Sequence, residues 1–344
     1  RSALEGIGNA TSGYYSPSFE RFCHSLESFR GRVEARYLNA PMPGGGKYDP
    51  AANPVDKFSS DVLVPAFLAT YTGGGSLDLF PKLTRLLPNW SVRYNGLGNL
   101  PWFRDVFKSF NINHAYKSIY AVGAYSSYSS FQEYMNGLGF ITNTDNIQVP
   151  HSIYNISAVS INEAFSPLLG VDMTFQNNLT AKLEYRTTRV LGLNMTSVQL
   201  NEMLSRDWVV GLAYRINDFK LFGNTPKKAR SRQTTKRDSK NNNRQDENTS
   251  TEKNRGINHN LNMRLDVSYR RQAALTRDIA SVVTSASSGN SAFKMSLSAD
   301  YTLSRMLTLN FYYDRQSNTP LLSSNSYPTT VHDFGVSLKF SLTK

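Results

Sequence analysis

The feature that most constrains this chain is an alternation of apolar and polar residues sustained over segments of about ten residues. In LNMRLDVSYR (261–270), Leu261, Met263, Leu265, Val267 and Tyr269 share one phase, while Asn262, Arg264, Asp266, Ser268 and Arg270 share the other. The last segment repeats the pattern: Phe334, Val336, Leu338, Phe340 and Leu342 alternate with Gly335, Ser337, Lys339, Ser341 and Thr343. Met295–Leu303, Leu307–Tyr313 and Trp208–Ile216 continue the series. An i, i+2 repeat sends each set to one side of a pleated strand. Roughly ten such segments run from about Trp90 onward, which makes the chain all-β and antiparallel.

Segment length separates this pattern from a soluble sandwich. Strands of soluble proteins have a mode of about 5–6 residues, whereas about 9–11 tilted residues cross a bilayer. The connections also read as unequal, with tight turns at Gln176–Asn178 and Ser304–Met306 and long polar loops at 272–291 and 316–330. Short turns on one side and long loops on the other is the habit of outer-membrane barrels. Tyr125, Tyr214, Tyr269 and Tyr313 near strand ends suit an interfacial aromatic girdle, and equally suit ordinary strand filling. The expected architecture is a set of transmembrane β-barrel strands. Leu261, Met263, Leu265, Val267, Tyr269, Phe334, Val336, Leu338, Phe340 and Leu342 would face lipid. Asn262, Arg264, Asp266, Ser268, Arg270, Ser337, Lys339 and Ser341 would face the lumen.

The first 86 residues read as a helix- and loop-rich segment attached to the barrel. Ser16-Pro17 offers an N-cap and first helical residue, followed by Phe19, Phe22, Cys23, Leu26, Phe29 and Val33 at helical spacing, with an end near Gly31 or Tyr37. Glycine triplets at 44–46 and 73–75 mark loop. A second short amphipathic helix is expected at Pro101–Phe110, where Phe103, Val106, Phe107 and Phe110 share a face, either in the membrane interface or against a barrel end. Barrel strands are expected over 87–225 and again over 257–344, on either side of an insert at 226–256.

Composition narrows the function classes. A mean hydropathy of −0.42 and a longest apolar run of VLVPAFLA (62–69) exclude a helical membrane protein, which needs about 18 apolar residues per span. Half of the net charge of +12 sits in Pro226–Arg255, with ten basic and four acidic residues and only Ala229 as an apolar side chain. Such a segment cannot bury enough surface to offset its ordering entropy, so it reads as a disordered loop. Its basic residues lack interleaved aromatics for base stacking, so no nucleic acid is expected. Arg1 opens the chain with no Met and no signal-like region, as in a mature form or a fragment.

Catalytic and metal signatures are missing from the sequence. His24, His114, His151, His259 and His332 have no ligand spacing, and the glycine triplets lack the Lys-Ser/Thr of a phosphate loop. Cys23 beside His24 is not a nucleophile–base pair, because adjacent helical residues diverge by about 100° and Cys23 lies on the apolar stripe. Glu163, Glu184 and Asp300 read as lumen-type charges. No enzyme and no cofactor are expected.

Several segments resemble a known family. DVLVPAFLATYTGG (61–74), LPNWSVRYNGLGNLPWFRDVFKSFNINHAYKSIYAVGAY (87–125) and FSPLLGVDMTFQNNLTAKLEYRTTRVLGLNMTSVQLNE (165–202) are similar to the C-terminal region of the SprA/Sov family. So are DWVVGLAYRINDFKL (207–221), LNMRLDVSYR (261–270) and LSADYTLSRMLTLNFYYDRQSNTP (297–320). That family forms the outer-membrane translocon of the type IX secretion system of Bacteroidota. The match includes irregular connectors such as LPNW and RQSNTP; residues 1–60 match more loosely, and the insert is longer than the family's usual connector.

The resemblance implies the C-terminal part of a very large outer-membrane barrel that passes folded cargo proteins to the cell surface, with a link to gliding motility. It implies as partners the other strands of the same barrel, a smaller PorV-like barrel shuttle protein, a periplasmic plug protein, secreted cargo and outer-membrane lipid. It carries no catalytic residue onto this chain. The alternative is an independent outer-membrane porin or transporter that closes on its own, and a third is a soluble β-rich surface protein.

Overall fold

The computed structural model describes residues 2–6, 8–38, 40–73, 75–79, 88–135, 138–217, 219, 259–304, 306–322 and 326–341. The expected basic insert and the expected site residue Leu342 lie outside them. Antiparallel sheet dominates. Nine strands pair in the order β1 (Trp90–Tyr94), β2 (Phe107–Ser127), β6 (Tyr154–Phe175), β7 (Leu179–Asn194), β8 (Gln199–Ile216), β9 (Leu261–Asp278), β10 (Val283–Thr302), β11 (Leu307–Pro320) and β12 (Thr329–Phe340). Between β2 and β6 the chain forms a small sheet of β3 (Gln132–Met135), β4 (Leu138–Thr142) and β5 (Gln148–His151). The large sheet is open among the described residues, with β1 and β12 at its edges.

The expected loop at 272–291 is mostly strand, and the one at 316–330 is strand at both its ends. The 272–291 region continues β9 to Asp278, turns through four residues and pairs back as β10, with only a bulge between Ala286 and Ser288. Within 316–330, β11 runs on to Pro320 and β12 begins at Thr329. The small residues of these stretches (Ala, Ser, Thr, Gly) weaken the apolar alternation, yet their backbone groups complete the ladder. The expected inequality of turns and loops is therefore not what distinguishes the two ends of the sheet. What distinguishes them is that strands as long as the 22 residues of β6 carry different chemistry along their length.

Two helices pack on one face of the sheet at one end. In α1 (Pro17–Tyr37), the Ser16 hydroxyl accepts a hydrogen bond from the Phe19 amide, and Pro17 supplies the fixed φ of the first helical residue. Phe19, Phe22, Leu26, Phe29, Val33 and Tyr37 are buried, as the 3.6-residue stripe requires, and the helix runs to Tyr37 rather than stopping at Gly31. The apolar run near residue 65 is a second helix, α2 (Ser60–Thr72), which the strand-dominated pattern did not disclose. It is apolar on all sides because it is covered on all sides: Val62, Leu63, Val64, Ala66 and Phe67 are completely buried. Gly73 closes it in the left-handed conformation, φ 84°, its N–H donating to the Ala69 carbonyl. The shared core joins these helices to Ile156, Val159, Ile161, Leu191, Leu193 and Leu200 of β6–β8, so the helical segment and the sheet fold as one body.

The expected helix at Pro101–Phe110 is only one turn, α3 (Pro101–Arg104), and Phe107 already belongs to β2. The sequence spacing misled for a definite reason. A register shift between Phe107 and Ser109 puts Phe107 opposite Phe175 and Phe110 opposite Met173, so two residues three apart share one face of a strand. Their rings pack with Phe103 and Phe175, with centroids 4.7–5.5 Å apart.

Candidate functional site

The register of the large sheet gives each strand a definite phase, and the phases agree across all nine strands. Leu265 of β9 stands opposite Leu212 of β8 and Leu297 of β10; Leu297 meets Tyr313 of β11, and Tyr313 meets Phe334 of β12. Leu261, Met263, Leu265, Val267, Tyr269, Phe334, Val336, Leu338 and Phe340 thus lie on one face, as the alternation predicts. Asn262, Arg264, Asp266, Ser268, Arg270, Ser337 and Lys339 lie on the other. Ser341 follows β12 and donates its N–H to the Met306 carbonyl at 2.8 Å.

Away from the helices, the first face is an uncovered apolar band. Trp208, Val210, Leu212, Tyr214 and Ile216 define its height on β8, and matching apolar residues extend it from β6 to β12. Trp208 is 48% exposed, Leu297 46% and Phe334 79%. Near the helices the band ends on aromatic rings that step diagonally across the strands. Trp90, Tyr116 and Phe165 occupy one row of β1, β2 and β6. Tyr185, Trp208, Tyr269 and Phe293 of β7–β10 occupy the next row toward the band, and Tyr313 and Phe334 lie two rows further on. Tyr185 and Trp208 stack with centroids 4.4 Å apart. Of the four tyrosines expected in a girdle, Tyr269 and Tyr313 stand on this line, Tyr214 lies at the band's other margin, and Tyr125 is remote from it.

The opposite face is hydrophilic along the same height. Arg270 pairs with Asp207 at 2.7 Å, Arg264 with Asp266 at 2.5 Å, and Lys182 with Glu184 at 2.8 Å, while Asn310 donates to Asp300 at 2.6 Å. Glu184 and Asp300 are where the sequence places them.

Glu163 is not. It shares the face of the apolar band, at the level of the helices, and is 1% exposed. Its carboxylate accepts from the Tyr116 hydroxyl at 2.6 Å, the Ala3 amide at 3.0 Å and the Ser2 hydroxyl. It belongs to a buried charged cluster that clasps residues 2–6 to the sheet. Glu202 sits between two guanidiniums: Arg277 Nε donates to its Oε2 at 2.7 Å, and Arg189 Nε lies 2.7 Å from its Oε1 as an ion pair. Arg189 also donates to the Ser2 carbonyl at 2.7 Å and pairs with Glu5 at 3.3 Å; Arg277 donates to the Tyr14 carbonyl at 2.8 Å. Arg189, Glu202 and Arg277 are at most 2% exposed.

Burial alone would raise the Glu5 carboxyl, but hydrogen bonds from the Ser18 hydroxyl and amide and the Ser16 hydroxyl, with the charge of Arg189, hold it below the ordinary glutamate value. Sequence reasoning missed this cluster, although a signal existed. Glu202 is in phase with Trp208 and Arg277 with Leu261, so both are charges at apolar-phase positions.

Cys23 packs against the helical core, and burial pushes its thiol up to about 11, opposite to what a nucleophile needs. Among the described residues no group of three His, Cys, Asp or Glu side chains is placed to hold a metal ion, and no helix is long and apolar enough to cross a membrane. No protein-family model matches the chain, and no curated protein sequence matches it.

Proposed function

We propose that this chain forms part of the wall of an outer-membrane β-barrel, with the apolar band against lipid and the hydrophilic face lining the pore. By the sequence resemblance, the pore is the protein-conducting channel of a type IX secretion system. The observation that carries the reading is the band with its diagonal aromatic margin. Eight residues separate Trp208 from Ile216, about 27 Å along a strand at ~3.4 Å per residue. At the ~40° tilt of barrel strands this becomes about 21 Å of height, close to the ~25 Å of an outer-membrane barrel's apolar band. Tilt also accounts for the diagonal, because a line parallel to the membrane must cross successive tilted strands at shifting register.

The open edges set the scale of the assembly. In hydrocarbon an edge strand's unpaired N–H and C=O groups find no water, so β1 and β12 need neighbouring strands. That requirement favours a wall segment of a larger ring over a porin closed by these strands alone.

The test has two readouts. Truncation before Asp333 removes most of β12 and should abolish both accumulation in the outer-membrane fraction and secretion of type IX cargo. Normal accumulation would overturn the wall assignment, and lost accumulation with cargo secretion intact would favour the porin.

A further inference from the structure

A cleft of about 250 Å³ opens between the start of the chain and the sheet, lined by Gly6, Gly8, Leu204, Arg206, Arg271 and Ala273. Its position is set by register. Arg206 of β8 and Arg271 of β9 stand directly opposite each other, one row beyond the Trp208–Tyr269 pair that closes the apolar band. Like charges opposite one another on an antiparallel pair repel, so the arrangement needs a compensating group.

Among the described residues no carboxylate pairs with either arginine. The Glu5 carboxylate is committed to Ser16, Ser18 and Arg189, and Glu5 offers Arg206 only its backbone carbonyl at 3.2 Å. Asp207 is in the opposite phase and pairs with Arg270. Arg271 is exposed and makes no ion pair or hydrogen bond among the described residues. On the wall opposite, Gly6 and Gly8 present backbone without side chains, and Gly8 adopts φ +65°.

We infer that this cleft binds the phosphate of an anionic lipid headgroup. Guanidiniums present forked donors that match a phosphate bidentately, and two of them converge here on a space with no internal counter-charge. The inference rests on the wall reading above, which commits the source to lipid. The exposed aromatic row directly below places the arginines at headgroup depth, where long cationic side chains leave the hydrocarbon for the polar layer. The site would anchor the barrel at one height and hold the first residues of the chain near a lipid.

The experiment uses the full chain in its native assembly, reconstituted in phosphatidylcholine vesicles with and without phosphatidic acid, and counts lipid retained on the protein by mass spectrometry. Wild type should retain phosphatidic acid in preference. Arg271→Gln, which breaks no internal contact, should lower that retention about fivefold, the effect of one cation near an anionic surface. Arg206→Gln with Arg271→Gln should lower it further, and Arg264→Gln on the opposite face should not.

Unchanged retention by Arg271→Gln in protein that has entered the vesicles would overturn the inference and leave the wall reading standing. Protein that never enters vesicles would overturn both. Displacement of the lipid by excess inorganic phosphate would reassign the cleft to free phosphate and overturn the lipid assignment.

Discussion

Glu202 is a buried carboxylate shared by two arginines. It separates two fully buried guanidiniums, each of which also holds a carbonyl of the chain's first residues. Replacing it with Ala leaves Arg277 without a carboxylate and Arg189 with Glu5 alone at 3.3 Å, and should cost about 3–5 kcal/mol in urea unfolding of the assembled protein. Exposed Glu27, paired with Arg30 on α1, is the contrasting case, and Glu27→Ala should change stability by less than about 1 kcal/mol. A smaller effect for Glu202→Ala than for Glu27→Ala would refute the assigned burial.

Glu5 adds a pH dependence of known sign. Its carboxyl is held below the ordinary value in the folded state, so its stabilisation is complete above the unfolded value of ~4.3 and is lost as pH falls through the lower folded value. The protection of the residue 2–6 amides, relative to their intrinsic exchange at each pH, should therefore fall on acidification below that range. Glu5→Gln should remove this acid step; an unaltered step would assign it to another group.

Among the elements, the strands were the most legible in the sequence, because period two survives wherever one face is apolar and the other polar. Over 208–216, 261–270 and 334–340 the observed register keeps the expected alternation for that reason. Legibility fails where the physics departs from that simple case. The far halves of β9 and β10 carry small side chains, and α2 is buried on every side, so neither shows a contrast between two faces. At the start of β2 a bulge counterfeits helical spacing. Glu163 has polar neighbours in sequence but stands in the apolar phase, opposite Arg189, so local polarity alone does not reveal its burial.

The faces of β9 are open to a direct test. If the apolar band lies in lipid, Leu265→Lys or Leu338→Lys should cost about 2–4 kcal/mol near the midplane and impair heat-modifiable assembly, while Ser268→Lys should be tolerated. Equal tolerance on the two faces would refute the lipid assignment without disturbing the strand register.

At the scale of the whole molecule, the two ends of the sheet carry different attachments. The helices cover one end, near Leu193, Leu200 and Arg277. At the opposite end Ile216 pairs with Leu261 and the Phe219 amide donates to the His259 carbonyl, so the connector holding the basic insert leaves from there. That end also carries the turn at Gln176–Asn178 and the end of β12, since Phe340 pairs with Leu307. On the wall reading proposed above, a barrel whose last strand ends on the periplasmic side, as bacterial barrels do, holds the insert in the periplasm, because β12 ends at the same end of the sheet. On the same reading the helices would sit outside the cell, on the barrel's outer wall above the lipid.

Two probes read this arrangement together. Trypsin added to intact cells should spare the sites around Arg232 and Lys236. A membrane-impermeant maleimide should label Glu27→Cys, whose position is well exposed, while native Cys23, with its thiol near 11, stays largely unreacted at neutral pH. Cleavage of the insert with no labelling at position 27 would invert the topology. Cleavage together with labelling would put both ends of the sheet on one side of the membrane, which no spanning strand allows, and the membrane reading would fail with it.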